Sequence, residues 1–277
     1  MIFLKLTMKN KANLKKVSDV VAEVLIEQKV SHVFAISGGA SLHLIHSLAD
    51  HENIKYICNH NEQASAMAAD GYSRVSGNIG VAVTTSGPGA TNLITGICCS
   101  YYDSVPTLFI TGQVSTFRMK GDTGVRQIGF QETPIVDVVK SITKYAYTIN
   151  HPSEIKYQLQ KAMHISRSGR PGPVLIDIPD DLQRANIESS QLKNFQPDVE
   201  QEKGKLTDII LNIMSMIKIS KRPIIIAGWG VHLSKTQSDF IKFAEGLNLP
   251  IALTWGAADL ISFDHELYVG TFGTHGN

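Results

Sequence analysis

Short apolar runs, each closed by glycine or a polar turn, alternate along this chain with longer amphipathic segments. Repetition of that kind packs helices on both faces of a parallel sheet, because neither element can bury its apolar side alone. Predicted strands lie at His32–Ile36, Ile54–Cys58, Gly80–Thr85, Thr107–Thr111, Thr143–Ile149 and Val174–Ile178. The helices that accompany them include Val17–Gln28, ahead of the first strand, with Val17, Val20, Val21, Val24 and Leu25 on one face. Another is the Ala-rich Asn61–Val75, whose small side chains suit close packing. About six strands complete one doubly wound α/β domain, assigned to residues 1–185. A polar stretch from Ser115 to Glu132 has no hydrophobic period, as expected of a functional loop or lid.

Polar text over residues 186–205 reads as a linker. A second β-α series over 206–277 then starts with helix Leu206–Ile217, strand Pro223–Ala227, helix Ser234–Leu247 and strand Pro250–Leu253. With two or so strands written before Asn277, this second α/β domain is expected to be truncated.

Composition removes several function classes. Among 277 residues, 26 Lys and Arg against 25 Asp and Glu leave a net charge of +1, so no basic excess points to nucleic acid or an anionic membrane. No apolar run spans a bilayer, and the N-terminus has no cleavage pattern of a signal peptide. Three cysteines, Cys58, Cys98 and Cys99, make no disulfide framework or zinc site, which fits a reduced cytoplasm.

Candidate chemistry sits after the first three strands, outside the carboxyl ends where a parallel sheet binds ligands. Ser37-Gly38-Gly39 follows the first, His60-Asn61-Glu62-Gln63 the second, and Ser86-Gly87-Pro88-Gly89-Ala90-Thr91-Asn92 the third. Singly, each has a plain alternative. Paired glycines make a tight turn, Pro88 suits the first position of a helix, and Glu62 favours the positive end of its own helix. The Ser86–Asn92 loop is open to a phosphate-binding reading, although it lacks both the G-x-G-x-x-G spacing and a Walker lysine.

Taken in order, these segments resemble the thiamine-diphosphate enzymes, and among them the large catalytic subunit of acetolactate synthase. The resemblance is carried by Phe34–Gly39, His60–Arg74, Thr85–Leu93, Ile110–Gln113, Gly129–Glu132 and Ser168–Pro179, and more thinly by Lys221–Gly230 and Gly270–Gly276. It implies a pyrimidine-binding domain over 1–185 and the start of a central domain over 206–277. It assigns Gly38, Gly39, Glu62, Pro88 and Asn92 to cofactor binding, Phe130 and Gln131 to the substrate side, and Glu62 and Gln131 as catalytic candidates. Phe130 is either a pocket wall or a core aromatic. The implied reaction decarboxylates pyruvate or a related 2-keto acid and passes the two-carbon unit to an acceptor carbonyl. Glu62 would exchange a proton with the ring nitrogen of the aminopyrimidine, a role in which Gln cannot substitute. The resemblance also implies a dimer or tetramer with the site between subunits.

The chain departs from that pattern in informative places. The family motif for Mg²⁺ and diphosphate, Gly-Asp-Gly followed by an Asn, is absent, so no metal ligand is assigned in this chain. No turnover is expected from the chain alone; a fragment, one half of a split enzyme with a separate diphosphate-binding chain, and a non-catalytic interaction module stay open. Asn61 stands where the family commonly has His, Ser37 where it usually has Pro, and Asp180 where it has a channel-lining Lys. Gly228, Gly230 and Gly270–Gly276 match the FAD region of acetolactate synthases, but a truncated second domain argues against flavin retention.

Overall fold

The computed structural model describes residues 14–197, 206–274 and 276. The extreme N-terminus, residues 198–205 of the expected linker, His275 and Asn277 lie outside the described residues. The chain forms two compact units, Met1–Asp198 and Val199–Asn277.

In chain order the first unit comprises β1 (Leu14–Lys16), α1 (Val17–Glu27), β2 (His32–Ala35), α2 (Leu42–Ala49), β3 (Lys55–Cys58), α3 (Glu62–Ser76) and β4 (Gly80–Thr84). It continues through α4 (Pro88–Thr91), α5 (Ile94–Tyr102), β5 (Thr107–Gln113), α6 (Ile135–Val139), β6 (Tyr145–Thr148), α7 (Ile155–Arg167), β7 (Val174–Pro179), α8 (Asp180–Gln183) and β8 (Asn186–Glu188). Six strands make a parallel sheet in the order β3-β2-β4-β5-β7-β6. The central strands β4, β5 and β7 are buried throughout, which is why their sequences read as unbroken apolar runs.

Alternation along those strands feeds two cores. Val81, Val83, Leu108, Ile110, Val174 and Ile176 point toward α1, α2 and α7. Ala82, Phe109 and Leu175 point toward α3, α5 and α6. The second face uses small residues because its helices come close. A Cβ on Gly80 would lie 1.8 Å from the Ala69 carbonyl oxygen, and one on Gly96 would lie 2.3 Å from the Ala66 Cβ. The Ala-rich run foreseen for α3 is the surface that permits this approach.

Three short strands escaped the sequence reading, β1 and β8 in the first unit and β11 in the second. β1 pairs antiparallel with β8, Leu14 opposite Glu188, so residues 186–188 of the expected linker form a strand within the first unit. The second unit contains α9 (Leu206–Ile219), β9 (Ile225–Ala227), α10 (Gly230–Leu233), α11 (Gln237–Leu247), β10 (Ile251–Leu253) and β11 (Tyr268–Thr271). Its parallel sheet has three strands in the order β11-β10-β9, with β11 added to the two expected. Ala227, Ala244, Ile251, Leu253 and Ala257 make its small core. Among the described residues no helix is long and apolar enough to cross a membrane.

Candidate active site

After β2 the chain steps to β3 on one side and then crosses to β4 on the other. The connections leaving these strands therefore diverge and open a crevice at the carboxyl ends, the usual ligand position in an open parallel sheet. Gly38 and Gly39 leave β2, Asn61 and Glu62 follow β3, and Ser86–Asn92 follow β4. All three motifs expected to carry chemistry meet at this end of the sheet, Gly38 and Ala40 against Thr85 and Asn92 against Glu62.

Glu62 stands in the first turn of α3. Asn61 is extended and its Oδ1 accepts from the Gln63 N–H at 2.8 Å, so it caps the helix and fixes where the carboxylate emerges. The Asn92 amide Nδ2, at the end of α4, donates to Glu62 Oε2 at 2.9 Å. Glu62 Oε1 looks toward Gly89, where a Cβ would sit 3.5 Å from it and 2.6 Å from Thr85 Cγ2. Gly38 is equally constrained, since a Cβ there would meet Thr85 Cβ at 2.5 Å, while the corresponding position on Gly39 has nothing within 4 Å. Gly39 leaves its Cβ position open, whereas buried Gly89 lets α4 pack against Thr85 beside the half-buried Glu62 carboxylate. Pro88 occupies the first position of α4 and is exposed.

The polar stretch after β5 is pinned rather than loose. Glu132 Oε1 accepts from the Lys120 N–H at 2.7 Å, and Oε2 from the Ile128 N–H at 2.9 Å. Desolvation pushes this carboxyl up, but the N–H groups of Ile128, Lys120 and Gly129 outweigh it and hold the acid below its ordinary range. Gln131, with a positive φ of 60°, lies against Gly87, whose absent Cβ would fall 2.7 Å from Gln131 Cβ. Gln131 therefore joins the Ser86–Asn92 loop. Phe130 is 83% exposed, which removes its reading as a core aromatic.

Sequence reasoning missed the supports behind these groups. Asp177 in β7 is fully buried and accepts from Thr111 Oγ1 at 2.7 Å, Gln113 Nε2 at 3.1 Å and Thr148 Oγ1 at 3.3 Å. The same Gln113 nitrogen donates to the Thr133 carbonyl at 2.8 Å, anchoring the end of the loop that carries Gln131. An aspartate inside the apolar run Val174–Ile178 was the one signal available, and it did not reveal its partners. Asp180 accepts from Ser115 Oγ at 3.3 Å and lies 3.8 Å from Arg184 Nη2, so its charge is shared locally. Among the described residues no group of three His, Cys, Asp or Glu side chains is arranged to hold a metal ion.

Comparison with known proteins adds two family matches. "Thiamine pyrophosphate enzyme, N-terminal TPP binding domain" matches residues 15–139, and "Thiamine pyrophosphate enzyme, central domain" matches residues 210–277. The acetolactate synthase large subunit of Lactococcus lactis is 36% identical over 261 residues, covering 94% of this chain and 44% of the relative. The chloroplastic acetolactate synthase 1 of Nicotiana tabacum is 36% identical over 267 residues, covering 95% and 38%. The acetolactate synthase large subunit of Haemophilus influenzae is 33% identical over 272 residues, covering 95% and 46%. The chain therefore spans less than half the length of these relatives.

Proposed function

The chain belongs to the thiamine pyrophosphate enzymes, carrying their N-terminal domain and part of their central domain, and from that premise we propose that it serves acetolactate synthase-like chemistry on a 2-keto acid. Residues 1–185 form the pyrimidine-binding domain in this reading, and 206–277 belong to the central domain. The observation that carries it is the Asn92–Glu62 hydrogen bond, which holds one oxygen of a half-buried carboxylate at the head of α3.

When bound, thiamine diphosphate supplies the electron sink for cleavage beside a carbonyl. The residues of this chain orient it. Asn92 holds Oε2 of Glu62, and Oε1 would be left to exchange a proton with the aminopyrimidine of the bound cofactor. The open position at Gly39 would leave room for the bound cofactor. Gln131, held against Gly87, offers an amide to the carbonyl or carboxylate of the keto acid. The 277 residues hold no Gly-Asp-Gly motif with a later Asn, so Mg²⁺ and the diphosphate fall in this reading to another segment or a separate chain.

A second copy is part of the proposal. The edge strand β3 is exposed along its length, with Tyr56 and Ile57 uncovered, and Met67 of α3 and Tyr102 of α5 are exposed as well. An apolar edge of this kind beside Glu62 suits pairing of two chains. We also assign the protein to a reducing compartment, in keeping with free Cys58, Cys98 and Cys99.

The test is Glu62→Gln in the complete natural protein with thiamine diphosphate, Mg²⁺ and pyruvate. Loss of general acid–base assistance should lower turnover by about 10²–10⁴-fold. Turnover within threefold of the wild type would defeat the assignment.

A further inference from the structure

Gln183 is fully buried in α8, and both its amide hydrogens are used. Its Nε2 donates to the Ala40 carbonyl at 2.6 Å and to the Ile178 carbonyl at 2.7 Å. Its Oε1 is buried and has no hydrogen-bond partner among the described residues. A buried amide with an orphaned acceptor costs stability, so local energetics alone do not account for it. The other side of the same Ala40 residue is held too: its N–H donates to Thr85 Oγ1 at 3.1 Å.

Ala40 is thus gripped at both ends by residues that follow other strands. Thr85 follows β4, and Gln183 follows β7, 143 positions away in sequence. Close approaches complete the grip. The Ala40 carbonyl oxygen lies 1.9 Å from where a Gly112 Cβ would be, so only glycine in β5 lets the turn descend this far. Ser41 closes it, its N–H donating to the Gly38 carbonyl at 2.9 Å. Between Gly38 and Ala40 stands Gly39, the residue with open space above it.

We propose that Gln183 and Thr85 are positioning residues that clamp the Ala40 backbone and thereby set the height of Gly39 as the wall of the cofactor crevice opposite Glu62. The inference rests on the functional reading above for the identity of the crevice, but the clamp itself does not. Neither side chain is assigned contact with cofactor or substrate. Thr85 acts through its hydroxyl, so serine should replace it and valine should not. Gln183 acts through its two donors, so methionine, of similar length and without them, should release the turn.

The experiment uses the complete natural protein and three variants, Thr85→Val, Thr85→Ser and Gln183→Met. Hydrogen exchange at the Ala40 amide reads the clamp, calorimetric titration with thiamine diphosphate and Mg²⁺ reads the crevice, and urea midpoints read global stability. Thr85→Val and Gln183→Met should each speed Ala40 exchange and weaken cofactor affinity by about tenfold, the effect of losing one hydrogen bond to the Ala40 backbone. Thr85→Ser should stay within about twofold of the wild type. Because both variants free one backbone segment, combining them should weaken affinity by less than the product of the single effects. Unchanged Ala40 exchange in Thr85→Val overturns the clamp. Accelerated exchange with unchanged affinity overturns the positioning role, and so does a Thr85→Ser variant as weak as Thr85→Val. If Gln183→Met fails to fold, the Thr85 pair decides alone. A wild type that takes up no thiamine diphosphate defeats the functional reading and with it the cofactor part of this proposal, while Ala40 exchange still decides the clamp.

Discussion

The carboxylate of Asp177 and the amide of Gln113 meet at 3.1 Å inside the central sheet, and the same amide holds the Thr133 carbonyl at 2.8 Å. One buried acid therefore reaches, through one side chain, the base of the loop that brings Gln131 to Gly87. Burial pushes the Asp177 acid up to about 7, against the lowering effect of Thr111, Gln113 and Thr148. An acid whose pKa is raised on folding binds its proton more tightly in the folded state. Stability is then greatest below the ordinary carboxylate range, falls as pH rises toward 7, and levels off above it. Asp177→Asn should remove this slope, a difference on the order of 4 kcal/mol between pH 4 and 8. Urea midpoints of the two proteins across that range make the measurement, and parallel curves would sink the idea.

Gly87 has φ 61° and ψ −125°, a conformation that a side chain strains, and a Cβ there would also strike Gln131. Gly87→Ala should cost about 1–3 kcal/mol and lift Gln131 off the loop. Tryptic cleavage at Arg118, Lys120 and Arg126, all within that stretch, should accelerate well before the global unfolding transition. Cleavage at the wild-type rate would show that Gln131 is held elsewhere.

What the sequence made legible follows from range. The strands β4, β5 and β7 were readable because burial on both faces leaves a continuous apolar run. Glu62 was readable because its place after β3 and at the head of α3 is a local matter of strand, turn and cap. β1 and β8 were not, since three-residue strands joined between Leu14 and Glu188 carry no period of their own. The polar supports were invisible for the same reason. Gln113 with Asp177, and Gln183 with Ala40, pair residues 64 and 143 positions apart, and an amide in the sequence does not announce its partner. The polar stretch after β5 reads only as a functional loop or lid, and its sequence does not show that Glu132 ties Lys120 to Ile128.

That tie makes its own prediction. Glu132→Ala removes the acceptor of the Lys120 and Ile128 N–H groups, which lie at the surface of the loop. Exchange at those two amides should speed by at least tenfold while the urea midpoint changes little, since a surface contact contributes little to global stability. A large global loss with unchanged local exchange would refute the assignment of Glu132 to the loop.

A close contact with α5 packs α3, the helix that Glu62 begins. Gly96 of α5 faces Ala66 of α3 so closely that a Cβ on Gly96 would lie 2.3 Å from the Ala66 Cβ. Gly96→Ala adds one methyl to a filled space, and overpacking of this kind costs about 1–3 kcal/mol, more than the roughly 1 kcal/mol that alanine gains over glycine in a helix. Ala66→Gly alone should also destabilise, by about 1 kcal/mol, through the same propensity term. Together the two exchange the methyl between helices without changing its total. The double variant should therefore be more stable than the sum of the single losses implies, with a coupling of about 1–2 kcal/mol. Urea unfolding of the four proteins gives that coupling directly. Additive losses would mean that the helices already stand far enough apart to accept the methyl, and that Gly96 does not set how closely α5 approaches the helix bearing Glu62.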